Sequence, residues 1–153
     1  MGGRTARGPI RGRIRARRCA VQALYQWQMA GHDPQHILRE FVAERETINA
    51  DIDYFRELTQ GIPEHIATIQ SQLKTVIDRP LDNLNPVERA VLYIGVYELQ
   101  FHPEIPWRVV VDEAIELAKM FGATEAHRYV NGVLDRLART LRALEVGTAS
   151  RAV

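Results

Sequence analysis

At 153 residues, 46% hydrophobic and 25% charged, the chain has an ordinary globular composition, which excludes whole-chain disorder and suits one domain with a real core. Its single cysteine, Cys19, excludes an intrachain disulfide and favours a reducing, cytoplasmic setting, and no apolar run suits a membrane span or a signal-peptide core. The net charge of +1 hides an asymmetry, because seven of the 20 cationic side chains precede the first acid, Asp33, and the remainder holds 13 cations against 19 acids.

Residues 1 to 12 carry Gly2, Gly3, Gly8, Pro9 and Gly12 among arginines, which predicts a mobile basic N-terminal arm. Such an arm fits a transit peptide, a nucleic-acid anchor or a solvated tail. The absence of serine before Ser71 and the direct run into a core helix put nucleic-acid contact first. A first helix is predicted from about Arg13, with Ala20, Val21, Leu24, Trp27 and Gln28 on one face and Gly31 ending it. Arginines on its first turns oppose the helix dipole, a conflict that an arriving phosphate relieves.

Asp33-Pro34 reads as a cap and a first-turn proline ahead of Ile37, Leu38, Phe41 and Val42. Asp51 caps a helix carrying Ile52, Phe55, Leu58 and Ile62. Pro63 either kinks this helix or starts another, since Ile66, Ile69, Leu73, Val76 and Ile77 continue the stripe until Arg79-Pro80. Asn85, Pro86 and Glu88 read as cap, first-turn proline and capping-box acid of a helix that His102-Pro103 closes.

From Val109 to Leu137, two apolar stripes at helical spacing flank Gly122, which predicts an αα-hairpin with Gly122 as the left-handed residue after the first helix. Asn131-Gly132 is a hairpin signal in the opposite sense, but the apolar period around it is helical, so a glycine inside a helix at a close crossing is expected. Val109-Val110-Val111 has strand propensity without a partner strand. The last helix is expected to run to Gly147, with residues 148 to 153 frayed. The fold class is therefore all-α, six to seven helices.

No metal site, cofactor or catalytic group is argued. Asp112, Glu113 and Glu116 read as a solvated face with a Glu116–Lys119 pair, Cys19 as a small buried hydrophobe, and the early glycines follow no strand that would make a phosphate loop. Lys119, Phe121, His127, Arg128 and Tyr129 do stand out, because rings beside cations suit single-stranded RNA. Phe121 reads equally well as core.

The stretch Asp112 to Lys119, then Phe121-Gly122 and Tyr129-Val130-Asn131-Gly132-Val133-Leu134-Asp135, resembles the signature of the NusB family of bacterial transcription antitermination factors. The resemblance extends to Cys19 through Trp27, Tyr54-Phe55-Arg56, Val87 through Leu92 and Tyr97-Glu98-Leu99, covering essentially the whole chain. It implies a bundle of two packed helical subdomains over residues 13 to 147. It also implies binding of the boxA element of nascent ribosomal RNA together with NusE, a small-subunit ribosomal protein, within the RNA polymerase antitermination complex, and no enzymatic activity.

By position, the resemblance assigns Arg13, Arg15, Arg17 and Arg18, with Phe121 and Tyr129, to RNA, and the cation-and-ring pattern adds Lys119 and Arg128. It assigns Tyr25, Glu88 and Glu125 to the NusE side. Glu88 keeps two readings, internal cap or partner contact. Tyr93 stands where a basic residue is common in the family. A homodimer is left open. The alternative is a stand-alone relative of the RNA-binding part of ribosomal RNA cytosine methyltransferases, which would need an α/β domain that the sequence to Val153 does not contain; a purely structural helical scaffold would not explain the arm.

Overall fold

The structure is a computed structural model that describes residues 7 to 151, with side chains from 9 to 147. The described residues form eight α-helices and a 3-10 turn, with no strand: α1 (Arg7–Ala30), α2 (Pro34–Ala43), α3 (Ile52–Glu64), α4 (Ile66–Lys74), α5 (Pro86–Phe101), α6 (Trp107–Phe121), α7 (Ala126–Leu141) and α8 (Ala143–Arg151), the turn being Leu81–Asn83. The all-α expectation is met. The chain divides into two compact units, Met1–Glu64 and His65–Val153.

In the first unit, Ala20 and Leu24 of α1, Ile37 and Phe41 of α2, and Phe55, Leu58 and Ile62 of α3 make the core, with the Phe41 and Phe55 rings 5.5 Å apart. The expected caps form: Asp33 accepts from the Gln35 N–H at 3.1 Å and Asp51 from the Tyr54 N–H at 3.0 Å. Gly31 ends α1 with φ +68°, the left-handed conformation a glycine adopts without a Cβ penalty. Pro63 lies inside α3, which stops one residue later, and the break at His65 is the boundary between the units. Helix α1 starts at Arg7 rather than near Arg13, so residues 7 to 12 of the expected arm are helical and residues 1 to 6 lie outside the described residues. The Asp51 N–H donates to the Gly12 carbonyl at 2.9 Å, which fastens this first part of α1 to the start of α3.

In the second unit, α5 is the central helix: Ala90 through Leu99 are buried without interruption, against α4, α6 and α7. Helices α5 and α7 approach closely at Gly95, where a Cβ would lie 2.6 Å from Leu134 Cδ1. This is the close crossing that the sequence suggested at Gly132. There, a Cβ would meet only the Arg136 side chain at 3.9 Å, and Asn131-Gly132 sits inside α7 on its outer side. The last helix also differs from expectation. It breaks at Arg142 and resumes as α8, which runs to Arg151 where fraying from residue 148 is predicted.

Arg142 explains the break. Its buried guanidinium donates to the carbonyls of Leu99 (2.7 Å), Ile105 (3.0 Å), Glu98 (3.2 Å) and His102 (2.8 Å), and to Glu145 Oε2 at 2.7 Å. Those carbonyls belong to the C-terminal end of α5 and the loop after it, where orphan acceptors and the helix dipole favour a cation. Glu145 Oε1 in turn accepts from the Trp107 N–H at 3.0 Å, an anion at the N-terminus of α6. The two side chains fix the α5–α6 turn.

Candidate nucleic-acid interface

The α6–α7 turn is shaped by crowding rather than by a left-handed glycine. Gly122 is extended (φ −87°, ψ 173°), and a Cβ there would sit 2.7 Å from the Ala118 carbonyl oxygen and 2.9 Å from Ala126 Cβ. The left-handed residue is Glu125, at φ +76°. A non-glycine residue is uncommon there, and Glu125 is bound to the next turn: its Oε2 accepts from Arg128 Nε at 2.7 Å and its carbonyl from the Arg128 N–H at 3.1 Å.

Around this turn the second unit gathers the expected residues. Lys119 is exposed and loosely paired with Glu116 at 3.8 Å, Arg128 is exposed, and Phe121 and Tyr129 are half-buried. Phe121 is therefore neither core nor free. Tyr129 is held by two residues that the sequence alone does not single out. Its hydroxyl donates to Asp78 Oδ1 at 3.3 Å, and the Arg79 guanidinium carbon lies 4.6 Å from its ring centroid. Asp78 also accepts from Arg79, Nε to Oδ1 at 2.8 Å and Nη2 to Oδ2 at 3.4 Å. The hydrogen bond from Arg79 holds the Asp78 carboxyl below its usual range, while partial burial, with the Asp78 charge, pushes the Tyr129 phenol up. Beside these residues opens a cleft of about 540 Å³, lined by Gln70, Lys74, Asp78, Arg79 and Asp82.

The first unit holds the α1 arginines, and they are not alike. Arg11, Arg15 and Arg18 are exposed. Arg13 lies with its guanidinium 4.3 Å from the Tyr54 ring centroid and Arg17 at 5.5 Å, on a ring that is itself buried. Arg17 is only 5% exposed, which corrects its placement among surface cations: one helical turn from Arg13, it falls on the face packed against α3. Cys19 is half-buried, its thiol donates to the Glu46 carbonyl at 3.4 Å, and burial with the nearby Glu46 raises its pKa, the reverse of what a nucleophile needs.

Of the residues on the expected protein-partner side, Tyr25 is 41% exposed on α1 with Met29, 58% exposed, one turn on. Glu88 is half-buried in the first turn of α5. The cap there is Asn85, which accepts from the Val87 N–H at 2.8 Å, and among the described residues no bond from Glu88 closes the capping box. Tyr93 is 2% exposed and its hydroxyl accepts from Gln70 Nε2 at 3.1 Å, so in this chain the position is part of the core.

An all-helical binding protein with exposed cations beside half-exposed rings is the class that this fold and surface define. The chain belongs to the NusB family, whose family model matches residues 14–139. It is 48% identical over 125 residues to "Transcription antitermination protein NusB" of Shewanella amazonensis, covering 82% of this chain and 93% of that protein. Among solved structures, T. maritima NusB matches with a TM-score of 0.75 and 33% identity over 83% of this chain and 90% of that one. A chain from a crystal structure of the antitermination factors NusB and NusE in complex with dsRNA matches with a TM-score of 0.76 and 29% identity, covering 88% of this chain and 98% of that chain. Among the described residues no helix is long and apolar enough to cross a membrane.

Proposed function

We propose that this protein is a transcription antitermination factor that binds boxA RNA together with NusE and joins the RNA polymerase antitermination complex, acting in the cytoplasm without catalysis. The observation that carries the reading is the match, nearly complete for that chain, to a structure of NusB with NusE and RNA. The local chemistry supports it. Lys119, Arg128, Arg15 and Arg18 are exposed cations for phosphates, and Phe121 and Tyr129 offer rings for bases. Arg13 stays in this set, with its charge shared with Tyr54, while Arg17 acts through packing. The basic segment of residues 1 to 12 extends the phosphate-binding charge.

Charge supports the protein partner that the family likeness implies. Beyond the first 18 residues the chain carries more acids than bases, which suits a basic ribosomal protein better than RNA alone. Tyr25, Glu88 and Glu125 are the residues proposed for that contact. The test is anisotropy of a labelled boxA-like RNA titrated with this protein, with and without NusE, at two salt concentrations. Weak binding alone, tightened by NusE and weakened by salt, is the expected result. Salt-independent binding, or none in either arm, would sink the reading. Calorimetry of NusE against wild type and Glu88→Gln, with a melt of each, assigns Glu88: unchanged melting with weaker NusE binding places it at the interface, and equal affinities remove it.

A further inference from the structure

Arg79 is the residue around Tyr129 best suited to bind an anion, and in the free protein it is already engaged. A guanidinium has a bidentate edge formed by Nε and one terminal nitrogen, and that edge matches a carboxylate or a phosphate equally well. Here it faces Asp78, at 2.8 Å and 3.4 Å, while the guanidinium covers the Tyr129 ring at 4.6 Å from its centroid. The Tyr129 hydroxyl is turned to the same carboxylate. A single acid thus sets both the cation and the ring, and its side chain is 67% exposed, so a solvent-borne anion can reach the pair.

We infer that Asp78 is an internal competitor for RNA, occupying in the free protein the edge of Arg79 and the hydroxyl of Tyr129 that an RNA backbone phosphate takes over on binding. The inference rests on the RNA-binding reading above and adds to it a regulatory contact at the same surface. Breaking the pair is easy, because an exposed ion pair contributes little to stability and its loss is made good by a phosphate of the same shape. The cost falls on affinity: RNA must displace a carboxylate and approach its charge. Glu88 also acts on Arg79 through its charge, but no hydrogen bond joins them among the described residues, so Asp78 is the group to be displaced.

Removing any acid near an RNA site raises affinity through general electrostatics, so the test needs a matched control. Asp82 lines the same cleft, its side chain is 99% exposed, and it pairs loosely with Arg89 at 3.7 Å rather than with Arg79 or Tyr129. Asp78→Asn and Asp82→Asn change net charge identically. The boxA-like RNA, with NusE present, should bind Asp78→Asn about two- to fivefold more tightly than wild type, and Asp82→Asn with a clearly smaller gain. In an Arg79→Gln background the gain from Asp78→Asn should fall to that from Asp82→Asn, since there is no edge left to release.

Equal gains at the two aspartates, or a gain at Asp78 that still exceeds the Asp82 gain after loss of Arg79, would overturn the inference. A readout without RNA separates it from the reading it rests on. The Arg79 Nε–H should be protected from solvent exchange in wild type and lose that protection in Asp78→Asn, measured by NMR with the wild-type fold checked by the amide spectrum. If wild type takes up no boxA-like RNA, the functional reading falls, and so does the competitor role even where Arg79 is protected. If RNA binds but Arg79 Nε–H exchanges freely in wild type, only the competitor role falls.

Discussion

Two tyrosines in this molecule carry guanidinium groups over their rings, and they do opposite things. Tyr54, in the first unit, is 2% exposed beneath Arg13 and Arg17, so the ring itself, with Arg17, is part of the packing that joins α1 to α3. Tyr129, in the second, is half-exposed beneath Arg79, at the edge of an open cleft. The same pairing of cation and ring, attractive by the ring quadrupole in both places, supports the fold in one unit and is available to a ligand in the other. The ring's access to solvent decides which.

The largest effect bearing on this contrast is expected at a fourth arginine, buried with no ring over it. Arg142→Ala should destabilise the protein by about 3–5 kcal/mol, because it leaves Glu145 without its cation and takes the side-chain donor from four buried carbonyls, of which Glu98 and His102 keep a backbone N–H while Leu99 and Ile105 lose their partner. Urea denaturation checks it, and a loss under about 1 kcal/mol would mean the site re-forms around water.

Next come the two tyrosines themselves. Tyr54→Ala should reduce stability by roughly 3–5 kcal/mol, the range for removing a large buried ring. Tyr129→Ala should leave melting nearly unchanged and weaken RNA binding by about 1–3 kcal/mol, the range for one base stack. Melting and affinity are measured on both variants, and the contrast fails if Tyr129→Ala melts early or Tyr54→Ala loses RNA binding while still folded.

The arginines give a smaller and graded effect. Neutralising Arg15 or Arg18, both exposed, should lower the magnitude of the log–log salt slope for RNA by about 0.7 for each phosphate left unneutralised on a single strand. Arg17→Gln should leave the slope alone and lower the melting temperature. A slope that falls for Arg17→Gln would show that the buried guanidinium opens to RNA.

The smallest effect is in pH. Burial alone pushes the Glu145 carboxyl up, but the Trp107 N–H and Arg142 outweigh it, so its folded-state pKa lies below the ordinary glutamate value. The unfolded chain then takes up this proton first. Stability from the group is whole above the ordinary value and is lost as the pH falls through the depressed one. Melts of wild type and Glu145→Gln between neutral and acid pH should converge at the acid end, and parallel curves would refute the assignment.

Much of this is legible in the chain because it is local. Caps at Asp33, Asp51 and Asn85, the stop at Gly31 and the helical period through Asn131-Gly132 all depend on residues within a turn or two, and each forms as the residues predict. The NusB-type motifs are likewise contiguous and readable. The departures depend on approach between distant segments. Gly122 has the sequence position of a left-handed cap, yet its lack of a Cβ serves the close approach of Ala118 and Ala126, and the left-handed turn falls at Glu125.

Periodicity, composition and contiguous motifs suffice for the helices, the basic start and the family, since none of them needs knowledge of what packs where. Which cations are available is settled by packing instead. Arg17 is buried by the helix it meets, Arg142 is committed to carbonyls about 40 residues away, and Tyr129 is bound to an aspartate 51 positions earlier. An arginine's charge is the same in every one of these places. Whether it holds a carbonyl, a ring, a carboxylate or a phosphate depends on what the fold brings within about 3 Å of its N–H groups, and no spacing along the chain encodes that.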